Sequence, residues 1–68
     1  MSNEQIKIID LIAKAQSDEK VEVLLNVLID TASFNEVAEI KAVLSDRLSW
    51  EKAPKVKYNY WKALEFLD

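Results

Sequence analysis

A chain of 68 residues without a single glycine has few ways to turn its backbone. Glycine is the ordinary source of the left-handed conformations that tight turns demand. Type I′ hairpins, phosphate-cradling loops and nucleophile elbows all draw on it. With only one proline, Pro54, the sequence is expected to form an all-α domain joined by short polar connections. The length fits one domain, residues 1–68, able to bury only ~60% of its unfolded surface. There is no Cys and no His, so disulfides, thiolate metal sites, the usual general base and the usual zinc ligand are all missing.

The most apolar stretch is Val21-Glu22-Val23-Leu24-Leu25-Asn26-Val27-Leu28-Ile29. Glu22 and Asn26 extend to Asp18 and Asp30 as a row at i, i+4, i+8 and i+12. That row is one narrow polar strip of a helix, with apolar side chains around most of the circumference. Such a helix calls for several neighbours and is expected at the centre of a bundle. The β-branched content admits a strand over residues 21–29. The acidic start, the four-residue polar spacing and the missing hairpin turns favour helix. A homodimer burying part of the first two helices is expected to satisfy their apolar excess.

Four helices are expected, at about 3–16, 18–31, 34–48 and 54–67. Ser2 with Gln5 and Ser33 with Glu36 have capping-box spacing, and Ser17-Asp18-Glu19 can cap the second helix. Helix 1 carries apolar stripes Ile6-Ile9-Ala13 and Ile8-Leu11-Ile12-Ala15. Pro54 suits the first position of the last helix, whose buried stripe is expected to be Val56, Tyr60, Ala63, Leu64 and Leu67. The third helix is irregular. Phe34, Val37, Ala38, Ile40, Leu44 and Leu48 share an arc that Lys41 and Ser45 interrupt. Either Lys41 snorkels at the bundle edge, or the helix breaks near residues 42–45.

The formal charge is −3, unevenly spread. Residues 1–49 hold five Lys/Arg against nine Asp/Glu, and residues 50–68 hold four against three. The acids lie in helical rows, as a solvated face would, with no Gly-bearing cation loop among them. Ser17, Ser33 and Ser49 have no His to activate them. No enzyme, cofactor or metal is expected. Met1-Ser2-Asn3-Glu4 lacks the basic start of a signal peptide, and no apolar run approaches the ~20 residues of a membrane span. A cytoplasmic protein is therefore expected. Five of the six aromatics fall in the last nineteen residues, among four lysines. Trp50, Tyr58 and Trp61, with Lys57 and Lys62, are the expected partner-binding residues, since exposed aromatics anchor protein interfaces.

Residues 33–50, with Ala38 as the small first-helix residue, Ala42 in the turn, Val43 buried and Leu48 packing the second helix, resemble a helix-turn-helix. Lys41 stands at a normally apolar position of that pattern, and the turn glycine is absent. The resemblance implies a DNA-binding regulator with Ser45, Arg47, Ser49 and Lys52 directed at the major groove. The leading expectation is instead a non-enzymatic interaction module, a small regulator or inhibitor that occupies the surface of a partner protein. Small chains of this sort are common among phage and mobile-element products.

Overall fold

The computed structural model describes residues 1–68 as four helices and no strand. They are α1 (Asn3–Ala13), α2 (Asp18–Asp30), α3 (Phe34–Trp50) and α4 (Pro54–Leu67). The bundle measures 30 × 23 × 23 Å, and no helix is long and apolar enough to cross a membrane.

The three serines start the helices as their spacing implies. Ser2, Ser17 and Ser33 accept from the backbone N–H three residues on, at 3.2, 3.2 and 3.3 Å. Gln5 and Glu36 return the bond to the Ser2 and Ser33 amides, completing two capping boxes. Each bond satisfies a donor that the first helical turn leaves free. Pro54 opens α4 with no side-chain cap; its missing N–H removes one of the donors a cap would serve.

The helix ends show what a chain without glycine does instead. No residue has a positive φ, so no left-handed residue closes a helix. Tight backbone bonds close α1 and α2 instead, the Lys14 and Ala15 amides donating to Leu11 and Ile12 and the Thr31 and Ala32 amides to Leu28 and Ile29, and side chains add to them. Thr31 Oγ1 adds a bond to the Leu28 carbonyl at 2.8 Å, while inside α3 Ser49 Oγ bonds back to the Ser45 carbonyl at 3.1 Å. At α1 the donor comes from the far end of the chain. Asn59 Nδ2, on α4, donates to the carbonyls of Ala13 and Ala15 at 3.2 and 3.0 Å. This explains why α1 stops at Ala13 and not near Gln16. Its last carbonyls turn toward α4 and leave the helical ladder.

The core consists of Ile9, Ile12, Ala15, Val21, Leu25, Leu28, Ile40, Leu44, Tyr60 and Ala63. Helix α4 packs against all three others, so it is the central element, and α2 is not. The apolar circumference of α2 is only partly covered: Val21, Leu25 and Leu28 are buried, whereas Val23 and Val27 stay about half exposed. In α1, Ile9 and Ile12 are buried and Ile6 and Leu11 are not. The α4 stripe forms as expected, with Tyr60 and Ala63 buried and Val56, Leu64 and Leu67 half-buried.

Helix α3 runs unbroken from Phe34 to Trp50, two residues beyond the expected end. The turn of a helix-turn-helix is therefore not formed. Ala42, a strong helix former in the place of the turn glycine, continues the helix. Lys41 snorkels, its amine 3.4 Å from the Asp68 carboxylate and its side chain partly in water. The core face of α3 is Ile40 and Leu44, with Val43 and Leu48 half-buried beside them. Phe34, expected on that face, is 92% exposed in the first turn.

Candidate functional site

The last helix places two rings on its outer surface. Tyr58 and Trp61 stand three residues apart, which on a helix makes them neighbours. Their ring centroids are 5.9 Å apart with the planes tilted by 41°, within the range of favourable aromatic pairs. Both rings border a groove of about 450 Å³ lined by Leu48, Lys52, Pro54, Lys57, Tyr58 and Trp61. Leu48 supplies the apolar wall from α3. The bend between α3 and α4 supplies the rim. There Glu51 Oε1 accepts from the backbone N–H groups of Lys52 and Ala53 at 3.0 and 3.1 Å. That pair of bonds fixes the bend and so sets Lys52 and Pro54 against the rings.

The charges around the rings have one sign at the groove and mixed sign behind it. Lys52 and Lys57 are the charged side chains of the lining. Behind it, the Lys55 amine sits 5.3 Å from the centre of the Tyr58 ring. The Lys62 amine lies 6.0 Å from the Trp61 ring and 5.3 Å from the Phe66 ring. Cations at these distances are drawn to ring faces. Lys62 also donates to Glu65 at 3.1 Å, and that bond holds its amine pKa above the usual lysine range. The Tyr58 hydroxyl donates to the Asp18 carboxylate at 2.9 Å, which raises its pKa above that of a free phenol.

The expected site residues are thus divided. Tyr58, Trp61 and Lys57 line the groove together, and Lys52, expected only for a DNA reader, joins them. Lys62 supports the rings from behind. Trp50 is 79% exposed but stands apart from the lining at the end of α3. Of the remaining DNA-reading residues, Ser45 and Ser49 are exposed on an unbroken α3 and Arg47 is half-buried. Ser49 is bonded back to Ser45. Arg47 turns toward the bundle, donating to Asp10 at 2.6 Å and to the Tyr60 hydroxyl at 3.5 Å. Sequence reasoning missed Leu48 and Pro54 as groove walls. It also missed Asn59, whose polar side chain is fully buried.

The groove has no acid–base pair and no nucleophile with a base, and no group of three or more His, Cys, Asp or Glu gathers to hold a metal ion. What it offers chemically is an aromatic and aliphatic floor with a cationic rim. No family model, curated protein or solved structure matches the chain.

Proposed function

We propose that this chain is a non-catalytic docking module, a small regulator or inhibitor that captures a partner protein through the α4 groove. The observation that carries this is the Trp61–Tyr58 pair. Two large rings are held in fixed orientation at the surface, with Trp61 49% exposed. Fixed aromatics lose little conformational freedom on binding, which is why they dominate interface energetics. Leu48 and Pro54 give the partner an apolar slot, and Lys52 and Lys57 favour carboxylates at its margin. The occupant is a segment with one apolar anchor flanked by Asp or Glu, seated as a helix or extended strand in the groove.

Selection of random peptides on the immobilised chain, against a Trp61→Ala chain of equal helicity, tests this. The wild-type chain is expected to enrich acidic segments with an aromatic or aliphatic anchor, and the variant to lose them. Enrichment identical on both chains would reject the groove. A saturable, salt-reversible change of tryptophan emission with duplex DNA would replace the protein partner with nucleic acid.

A further inference from the structure

A second surface, on α1 and α2, has a different character. The connection between the two helices is four residues long, so they run antiparallel. Along the outer side of α1, Glu4, Ile8, Leu11 and Lys14 follow one another at helical spacing. Along α2, Lys20, Val23, Leu24, Val27 and Asp30 do the same. Leu11, Val23 and Val27 are about half exposed, and Ile8 and Leu24 are partly so. Because the helices are antiparallel, Lys14 and Lys20 meet at one end, where both border the hollow that Leu11 and Leu24 line. Glu4 and Asp30 fall at the other end. The strip is therefore apolar in the middle, positive at one end and negative at the other. Counting Lys7 and Glu19 at its borders leaves the two ends opposite in sign.

We propose that this strip binds a second copy of the same chain, in a two-fold dimer with the strips packed in opposite directions. A two-fold axis through the middle of the strip lays each positive end on the partner's negative end. It also closes the apolar centres, Leu11, Val23, Leu24 and Val27, on themselves. Self-complementarity of one patch is what an isologous interface requires. A strip whose charge reverses along its length has that property automatically, and a foreign partner would have to reproduce the same reversed pattern. The dimer also covers the α2 surface that the bundle leaves open. It is independent of the α4 groove.

Sedimentation equilibrium from about 1 µM to about 1 mM chain tests the proposal. The expected mass rises to twice the 7.8 kDa of the chain. Val23→Asp with Val27→Asp is expected to hold it at the single-chain mass with helicity unchanged, both positions being half in water. Two charge variants settle the geometry without touching the apolar centre. Lys14→Glu with Lys20→Glu makes both ends negative, and Glu4→Lys with Asp30→Lys makes both positive. Each alone is expected to stay monomeric, and an equimolar mixture to form a heterodimer. A wild-type chain that remains monomeric at 1 mM would overturn the proposal, as would a dimer that survives both charge variants.

Discussion

Tyr58 and Asp18, forty residues apart in sequence, are joined by a 2.9 Å hydrogen bond from phenol to carboxylate. The bond ties the groove's first ring to the first turn of α2, so the ring is fixed by a helix that is not its own. It needs the phenol protonated. The Tyr58 pKa is raised first by that bond, then by partial burial and the Asp18 charge. A raised folded pKa means the bond's contribution is complete below the unfolded value of about 10. It is lost as pH climbs through the raised value. The ultraviolet difference between the wild-type chain and Tyr58→Phe isolates this phenol. It is expected to ionise above the free-tyrosine pH, and Asp18→Ala is expected to bring it back down.

Asn59 is the polar residue on which the closure of α1 depends. Asn59→Ala strands the carbonyls of Ala13 and Ala15, at about 1–3 kcal/mol for each group left unpaired in the interior. Chemical denaturation is expected to show a lower midpoint. Asn59→Asp is expected to be worse at neutral pH, because a buried carboxylate would face two carbonyl oxygens. The introduced carboxyl stays protonated in the fold, so its folded pKa is raised. Its penalty should shrink as pH falls from neutral toward the unfolded carboxyl value of about 4, and be gone below it. Asn59 Oδ1 itself has no partner in the interior.

Arg47 separates the bundle's needs from those of a nucleic-acid reader. Its bond to Asp10 spans α3 and α1, and the Asp10 side chain is half in water. Arg47→Ala is expected to lower stability by only about 0.2–1 kcal/mol, the range of solvent-screened pairs. The difference should narrow in ~1 M salt, where the screening length is only a few ångströms. Denaturant midpoints of both chains at low and high salt measure this.

Trp50 and Trp61 report on different surfaces. In single-tryptophan variants made with Trp50→Phe and Trp61→Phe, acrylamide is expected to quench Trp50 more strongly, since 79% of it is exposed against 49% of Trp61. A selected acidic peptide is expected to shield Trp61 and leave Trp50 as it was. Equal shielding of both would move the contact away from the groove.

Much of the helical layout is local and could be read from the sequence. Serine caps, the Ser-x-x-Gln and Ser-x-x-Glu boxes and Pro54 act within four residues, so their spacing alone locates three helix starts and the fourth. Lys41 was ambiguous because a snorkelling lysine and a broken helix interrupt an apolar arc in the same way. The unbroken helix decides between them: Ala42 continues α3, and the Lys41 amine reaches out to 3.4 Å from Asp68. Phe34 was misplaced for a similar reason. It has the phase of a core residue, but it sits in the first turn of α3, where the bundle offers nothing to pack against. The rings of the groove were visible as a surplus of aromatics, whereas Leu48 and Pro54 became its walls only once α3 and α4 lay side by side. Asn59 was least legible. Nothing near it in sequence needs a donor, and the carbonyls it serves are 44 and 46 residues away.

That separation bears on how the chain is made. Synthesis delivers residues in order, but a small domain folds as a unit. α1 and α2 can pair early, through contacts close in sequence, but the end of α1 then faces water with its carbonyls open. It is sealed by Asn59, which comes with the central helix α4. The end of α1 is therefore a latch worked from α4, and a chain cut before Asn59 is expected to leave the Ala13 and Ala15 carbonyls open and α1 frayed.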